Sequence, residues 1–372
     1  MIDRRAILRG GLWSSLACAS VGPVRALAAG DDMAAFIAAL PKAEYHVHLE
    51  GTLEAEMKFA LAKRNGLALP FADVAAMKAS YKYHDLPSFL AIYYDGMKVL
   101  LKEPDFYDLA FAYLKKAASQ NILHAEIFFD PQEHMKRDVP MAAMIGGISR
   151  ARADAEKQFG ISSQLILCFV RDLSAETAMA ALDAALPMKD QLVGVGMDSD
   201  EKGHPPIKFR AHIAKARANG LHVTAHCDVN QLYTLEHIRQ AIFDLQVDRI
   251  DHGGNILQSP ELVEAARALA IPFTVCPSFP GTVRADGKEI DIVRGMLDAG
   301  LNITINSDDP AYMGSEYINE VLLRTQQRSA LTKAELVQIE RNAFNAAWLP
   351  QERKARYLAR LDAFAKAWGV PV

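Results

Sequence analysis

The stretch QLVGVGMDSDEKGHPPIKFRAHIAKARANGLHVTAH, residues 191–226, contains the repeating unit from which the fold can be predicted. Its two ends, 191–197 and 221–226, are short runs of apolar and β-branched residues, which are typical of buried strands. Between them, residues 206–220 space their apolar residues as a helix does and end at Gly220, a common helix terminator. This order predicts two parallel strands joined by a helical crossover.

The same alternation of strand and helix runs through the chain from residue 44 onward. The other strand-like runs are 44–49, 122–129, 163–170, 248–253, 271–277 and 301–307. Eight strands alternating with helical segments predict an α/β protein, and specifically a closed (β/α)8 TIM barrel rather than an open sheet.

Two segments are too long to be simple crossovers. The segment between the first and second strands predicts a helical insertion over the barrel mouth, with helices at 54–65, 87–100 and 105–120. After Pro310, further helices are predicted outside the barrel at 316–329, 332–347 and 351–368. Because no linker or shift in composition interrupts the pattern, we predict one domain over residues 29–372.

The composition is that of an ordinary globular protein, and it excludes several classes of partner. The chain has 372 residues, of which 51% are hydrophobic and 23% charged, and its formal net charge is −4. This net charge does not predict nucleic-acid binding, and the sequence contains no basic stripe that would. Beyond the N-terminus no apolar run has the roughly 20 residues that a membrane-spanning helix needs. We expect a small-molecule substrate and no stable membrane association of the mature chain.

The first 28 residues resemble an export signal. They contain the pair Arg4 and Arg5, an apolar stretch over about residues 10–24, and a small-x-small cleavage pattern at 26–28. This pattern predicts a twin-arginine-type signal peptide over residues 1–28 and a periplasmic or exported protein. The alternative is a lipid anchor on Cys18, although Ser15 stands where a lipid-attachment motif prefers leucine.

Polar side chains follow several strands at their carboxyl ends, where barrel enzymes have their active sites. His46 and His48 end the first strand, and because side chains alternate along a strand, both imidazoles point the same way. Two such imidazoles make half of a metal site. The other strand-end residues are His226, His252, Asp308 and Asp309. We therefore predict that all six side chains meet at one mouth of the barrel.

Five motifs then occur in a characteristic order: HVHLEGTLE, GMDSDEKGHPP, RIDHGGNIL, FTVCP and NSDDPAY. Together they resemble the adenosine/adenine deaminase family of metal-dependent amidohydrolases, from Pro41 to the C-terminal helices. HLEGTLE, GHPP and NSDDPAY resemble the adenine-type members more than the adenosine-type members. The resemblance implies zinc-dependent hydrolytic deamination of a purine-like base or nucleoside, of the adenine or adenosine type, with release of ammonia.

The resemblance also implies a role for each strand-end residue. One Zn²⁺ per chain would be held by four ligands, with a position left for water: His46, His48, His226 and Asp308. Three nitrogens and one carboxylate suit zinc, which brings the pKa of water toward 7. His252 resembles the histidine that orients the resulting hydroxide, and Asp309 resembles the residue that hydrogen-bonds a purine ring nitrogen.

Further contacts follow from the same comparison. Glu50 stands where the nucleoside enzymes usually have an aspartate that meets the ribose, so the longer side chain suggests a base-sized substrate. Gly196 or Ser199, at the end of the fourth strand, is expected to offer backbone contacts to the base. Two-metal amidohydrolases carry a carboxylated lysine near this point. Lys202 lies slightly late for that role, so one metal is favoured.

The fifth strand departs from the family pattern. The family reads His-Ala-Gly-Glu and uses the glutamate to donate a proton to the ring, whereas residues 226–229 here read His-Cys-Asp-Val. General acid catalysis of this kind is worth about 10²- to 10⁴-fold in rate. Three explanations stay open: Asp228 is the proton donor, as a catalytic residue beside His252; the substrate is another N-heterocycle, or carries another leaving group, that needs no donor; or the chain binds purines without turnover because Val229 cannot donate.

Overall fold

Eight parallel strands form a barrel in the computed structural model, which describes residues 32–227, 235–277 and 291–371. The strands are β1 Lys42–His48, β2 Ile122–Phe129, β3 Ser162–Val170, β4 Gly194–Asp198, β5 His222–Cys227, β6 Arg249–His252, β7 Pro272–Val275 and β8 Asn302–Ile305. Each strand pairs in parallel with the next one along the chain. Val47 in β1 also forms a parallel bridge with Asp308, just after β8, and this bridge closes the sheet. The prediction of a TIM barrel is confirmed.

The helices confirm the predicted insertion and the C-terminal extension. They are α1 Met33–Ala39, α2 Ala55–Asn65, α3 Val74–Ala79, α4 Leu86–Gly96, α5 Glu103–Ser119, α6 Pro131–Met135, α7 Met141–Phe159, α8 Ala175–Ala185, α9 Arg210–Ala218, α10 Leu235–Arg239, α11 Pro260–Ala268, α12 Ile292–Asp298, α13 Ile318–Ser329, α14 Lys333–Ala346 and α15 Gln351–Ala367. Helices α2–α5 lie between β1 and β2, and α13–α15 follow β8. Within the described residues, no helix is long and apolar enough to cross a membrane.

Local sequence explains where the helices near the site begin. Asp85 accepts a hydrogen bond from the backbone N–H of Ser88, and the Ser88 hydroxyl oxygen accepts one from the N–H of Asp85. This reciprocal capping, with Pro87 in the first turn, fixes the start of α4. Thr332 and Glu335 cap α14 in the same way. Helix α14 then places the Glu340 carboxylate to accept the N–H of Ala43, which anchors the start of β1.

The closing seam between β8 and β1 depends on side chains as well as backbone. The Asn306 side-chain oxygen accepts the backbone N–H groups of Tyr45 (2.9 Å) and His46 (3.2 Å). The Glu44 carboxylate in turn accepts the N–H and the hydroxyl of Ser307. These contacts replace strand pairing after Ile305, which explains why β8 is shorter than the predicted run 301–307.

A buried ion pair crosses the interior of the barrel. Arg249 Nη1 donates to Glu126 Oε2 at 2.7 Å, and both side chains are fully buried. Burial alone would raise the pKa of Glu126, but the Arg249 charge and the His124 side chain outweigh it and lower the pKa to about 2. The guanidinium carbon also lies 4.1 Å from the centre of the Trp348 ring. The barrel interior below the strand ends, which we call the barrel floor, therefore contains a buried pair of opposite charges, Arg249 and Glu126.

Replacing Arg249 with Met is expected to lower the free energy of unfolding at pH 7 by about 3–5 kcal/mol, because Glu126 stays buried without its counter-charge. Chemical denaturation measures this loss. The control is Arg356→Met, which breaks an exposed pair with Glu352 and should change stability by less than about 1 kcal/mol. Equal losses in the two variants would contradict a special role for the buried pair.

Candidate active site

A cavity opens at the carboxyl ends of the strands, where the sequence predicted the site. Its volume is about 410 Å³, part of which is open to solvent. The predicted site residues that line it are His48, Ser199, His226, His252, Asp308 and Asp309. His46 is fully buried beside them, with its ring centre 4.5 Å from that of His226 and 4.4 Å from that of His252. The strand-end residues therefore meet as predicted.

Three of the contacts among the four predicted ligands have the short spacing that is typical of a metal site. His48 Nε2 lies 3.1 Å from His226 Nε2. Asp308 Oδ1 lies 3.4 Å from His46 Nε2 and 3.5 Å from His48 Nε2. A tetrahedral ion with bonds of ~2.0–2.2 Å holds its ligand atoms about 3.3–3.6 Å apart. His46 Nε2 and Asp308 Oδ2 are buried and find no hydrogen-bond partner among the described residues. The donor set therefore fits a divalent metal.

Each imidazole is also held from behind. His46 Nδ1 lies 3.1 Å from the carbonyl oxygen of Thr274 and 3.0 Å from its hydroxyl. His226 Nδ1 lies 3.4 Å from Asp251 Oδ2, and His48 Nδ1 lies 3.5 Å from Asp198 Oδ2. A partner on the far nitrogen is typical of metal-binding histidines, because it fixes the tautomer and the ring orientation.

Electrostatics puts most of these groups in the state that binds a metal. Burial, and then the neighbouring His226, keeps the pKa of His48 well below its usual value. Burial, and then His46, lowers the pKa of His252 to about 3. Burial raises the pKa of the Asp308 carboxyl, but the imidazoles, His46 first, outweigh it and hold that pKa well below its usual range. His48 and His252 are therefore neutral near pH 7, and Asp308 is ionised.

Two site residues have left-handed backbone conformations that side chains other than glycine rarely adopt. His252 has a φ of 62° and Asp308 a φ of 65°. In an extended strand, the adjacent residues Asp308 and Asp309 would point to opposite faces. The turn at Asp308 instead lets both carboxylates face the cavity, and ligand atoms of His48, Asp308 and Asp309 all lie within 4.8 Å of one another. Such strain is commonly retained at functional sites.

Asp309 occupies a tightly enclosed position. Burial, and next the adjacent Asp308 charge, raises the pKa of its carboxyl well above the usual value. Its Oδ1 has no hydrogen-bond partner among the described residues. A Cβ atom added at Gly51 would lie 2.0 Å from that oxygen and 2.8 Å from the Asp309 Cα. Only glycine at residue 51 leaves Asp309 where it is, as a potential proton donor.

Glu50 is buried behind the cavity wall rather than on it. Its Oε1 accepts the Nε2–H of His134 at 2.7 Å and the backbone N–H of Asp130 at 3.2 Å. The tautomer of His134 follows from Arg137, whose guanidinium donates to His134 Nδ1 at 2.8 Å. The described contacts of Glu50 therefore hold Asp130 in place, and its contact with a substrate stays a prediction.

The remaining predicted residues are less central. Gly196 lies within β4, where a Cβ atom would meet Cys168 Sγ at 2.8 Å, and it does not line the cavity. Ser199 does line the cavity and has a left-handed φ of 72°. Lys202 is exposed and is not among the residues that line the cavity. The predicted signal over residues 1–28, Asp228 and Val229 lie outside the described residues.

Sequence reasoning missed three buried carboxylates around the site. Asp130 follows β2 directly and Asp198 ends β4, and both line the cavity. The rule that selected His226 and His252, a polar residue at the carboxyl end of a strand, would have found both. Asp251 lies inside β6 and accepts the hydroxyls of Thr224 (2.7 Å) and Thr274 (2.8 Å). Nothing in the linear pattern marks it as the partner of His226.

Replacing Asp251 with Asn is expected to weaken metal binding by ~10- to 100-fold, because His226 loses its charged partner. Burial lowers the pKa of His226, but Asp251 outweighs this and raises it above the usual value. A proton on His226 competes with the metal, so metal affinity should fall as the pH decreases through that pKa. Competition with a chelator measures both effects. Asp244→Asn, which alters an outer pair with Arg239, is the control and should leave the affinity unchanged.

Comparisons with known proteins agree with this geometry. A family model described as adenosine deaminase matches residues 41–364. The chain is 46% identical over 331 residues to an adenine deaminase of Hahella chejuensis, covering 88% of this chain and 98% of that protein. It is 51% identical over 337 residues to an uncharacterized deaminase of Schizosaccharomyces pombe, covering 91% of this chain and 99% of that protein.

Two solved structures share the fold at useful identity. A crystal structure of adenine deaminase from Arthrobacter aurescens has a TM-score of 0.83 at 37% identity, covering 88% of this chain and all of that one. An amidohydrolase from Burkholderia ambifaria, solved with bound Zn, has a TM-score of 0.81 at 29% identity, covering 90% of this chain and 94% of that one. The chain therefore belongs to the adenosine deaminase family, whose members are metal-dependent hydrolytic deaminases that act on C–N bonds of small purine compounds.

Proposed function

We propose that this chain is a zinc-dependent adenine deaminase that holds one Zn²⁺ per chain and releases ammonia from the free base. The observation that carries the proposal is the chemistry of the cavity beside the ligand set. Its lining residues, all in the described part of the chain, include Asp130, Asp198 and Asp309 but no Lys or Arg. Such a cavity suits a neutral ring with several N–H groups and disfavours a phosphate group. Several proteins that are 37–47% identical to this chain are described as adenine deaminases.

The ligand residues would be His46, His48, His226 and Asp308, because their nitrogens and carboxylate oxygen face one another without competing partners in front. Bound there, zinc supplies a Lewis acid that brings the pKa of water toward 7. The chain's own contribution is to keep His48 neutral and Asp308 ionised, and to hold the rings from behind through Thr274, Asp251 and Asp198. These contacts orient the rings before a metal binds.

Other residues handle the ring of the substrate. Leu86, Phe89, Leu90, Tyr93 and Tyr94 of α4 form the apolar part of the cavity wall, against which a flat heterocycle can pack while water is excluded. A protonated Asp309 donates its hydrogen bond to a ring nitrogen, in agreement with the raised pKa of this carboxyl. His252 Nε2, 3.8 Å from Asp308 Oδ2, accepts a hydrogen bond from the attacking water and orients it.

Asp228 is the proposed proton donor to the ring, because it follows His226 by two residues and the Val229 side chain has no acidic group. Asp228→Ala is expected to lower kcat on adenine by ~10²- to 10⁴-fold at unchanged zinc content. Ammonia release is the measurement, and Asp200→Ala, in the loop after β4, is the control. An unchanged kcat would show that the donor is another group.

The replacement of the family glutamate by Val229 favours one second candidate, the deamination of a more polarised heterocycle that needs no donor. Ammonia release from adenine, adenosine, other aminopurines, pterins and aminopyrimidines separates the candidates. The proposal expects adenine to have the highest kcat/KM. If only a pterin or a pyrimidine is turned over, the second candidate replaces adenine deamination. Tight purine binding without ammonia release would instead support a purine-binding protein.

Gly51→Ala tests the role of Asp309. The added methyl group overlaps Asp309 and displaces its carboxyl, so we expect kcat/KM on adenine to fall by about 10²-fold with zinc content retained. The matched control is Gly146→Ala in α7, where the nearest atom to an added Cβ lies at an ordinary 3.7 Å. Wild-type activity in Gly51→Ala would show that the position of Asp309 does not matter.

We also propose that the chain is exported through its twin-arginine-type N-terminus and acts in the periplasm. The support is the sequence of residues 1–28, with Arg4 and Arg5 ahead of the apolar stretch. Cell fractionation of the wild type and of Arg4→Lys, Arg5→Lys tests this. The double variant should remain cytoplasmic, whereas persistent membrane association that depends on Cys18 would favour the lipid anchor.

A further inference from the structure

Two buried carboxyl groups at the cavity, Asp130 and Asp198, are not among the proposed metal ligands, although Asp198 lies behind the ligand His48. Asp130 is 1% exposed and Asp198 is 3% exposed, and both line the cavity. Asp130 Oδ1 and Asp198 Oδ1 find no hydrogen-bond partner among the described residues, and Asp198 Oδ2 faces the His48 Nδ1 at 3.5 Å. Buried carboxylates are costly unless a charge or a donor meets them. Their oxygens are therefore available to a ligand in the cavity.

The pair does not make a second metal site. Ligand atoms of His48, Asp130 and Asp198 do lie within 4.8 Å of one another. However, His48 Nε2 faces His226 and Asp308, which leaves the ring proton on Nδ1, the nitrogen 3.5 Å from Asp198 Oδ2. A protonated nitrogen cannot bind a metal. Two carboxylates alone are a poor set for zinc, which usually takes three or four protein ligands.

The surrounding contacts hold the Asp130 side chain in place, and burial, followed by the neighbouring Asp198, raises the pKa of its carboxyl well above the usual value. Its Oδ2 accepts a long hydrogen bond from the Tyr93 hydroxyl at 3.4 Å, and its backbone N–H donates to Glu50. The Nε2–H of His134 donates to the Glu50 carboxylate and holds Glu50 in place. Glu50 is therefore a positioning residue that acts through Asp130, and the side chain of Asp130 points into the cavity.

We propose that Asp130 and Asp198 accept the ring N–H of a free purine base, and that this contact makes the enzyme select bases over nucleosides and nucleotides. The inference rests on the proposed function of the site. Adenine has an N–H group on its five-membered ring, whereas a nucleoside has a glycosidic bond on that nitrogen. A substituted ring would bring no donor to the free oxygens of this pair and would place bulk against them. Sites that hydrogen-bond a substrate N–H reject analogues without it by large factors.

The probe is 9-methyladenine, which keeps the reacting amino group and loses only the ring N–H. For the wild type we expect kcat/KM on adenine to exceed that on 9-methyladenine by about 10²- to 10⁴-fold. Asp130→Ala should lower kcat/KM on adenine by ~10²-fold and leave 9-methyladenine within a few-fold, so that the ratio collapses. A purely structural role would lower both rates together and keep the ratio.

Controls separate this inference from its alternatives. Asp95→Ala, on the exposed side of α4, should leave the ratio unchanged. Asp198→Asn should also reduce the ratio, with zinc content measured because Asp198 lies beside His48. An unchanged ratio in Asp130→Ala and Asp198→Asn, or two zinc ions in the wild type and one in Asp198→Asn, would overturn the inference.

The inference can be tested even if the proposed function fails. If the wild type releases no ammonia from adenine, the same ratio is read as dissociation constants for adenine and 9-methyladenine by calorimetry. Preference for adenine that is lost in Asp130→Ala supports the contact without turnover. Equal affinities in the wild type overturn it.

Discussion

The site depends on two backbone hydrogen bonds that close the barrel. Asp308 N–H donates to the carbonyl of His46, and His48 N–H donates to the carbonyl of Asp308, each at 3.0 Å. They place the Asp308 carboxylate beside both imidazoles of β1, although Asp308 lies about 260 residues further along the chain. Asn306 and Glu44 hold the same seam through their side chains. The hydrogen bonds that close the barrel therefore also bring the proposed metal ligands of β1 and Asp308 together.

The polar interior continues from this seam through the barrel. Asp251 joins His226 to Thr224 and Thr274, and Arg249 joins the same strand to Glu126 on the floor. The ring orientations at the mouth thus rest on fixed charges below them. On the cavity side, by contrast, Asp130 Oδ1 and Asp198 Oδ1 lack hydrogen-bond partners among the described residues, as expected if a ligand with N–H groups completes them. The imidazoles are held by contacts below them, and the carboxyl oxygens that face the cavity have no partner among the described residues. Such a site is suited to bind a small ring with N–H groups.

The sequence predicted the barrel, all eight strands and the meeting of the strand-end histidines and aspartates, because alternation of strand and helix and the position of active sites in barrels are general. It did not predict the left-handed turn at Asp308 or the position of Glu50, since both depend on contacts with distant residues, Val47 for the first and His134 for the second. Asp130 and Asp198 were within reach of the same rule and were overlooked. Gly196 was expected at the substrate, but the barrel interior surrounds it.

The most direct test of the central claim is the X-ray absorption spectrum of the zinc-loaded protein, together with its zinc content. The account predicts one zinc per chain, with nitrogen and oxygen ligands at ~2.0–2.2 Å. Asp308→Ala should lose both the ion and ammonia release. Ligand atoms of Cys276, His46, His252 and Asp308 lie within 4.8 Å of one another. A sulfur ligand from Cys276, two ions per chain, or full activity in zinc-free protein would therefore contradict this prediction.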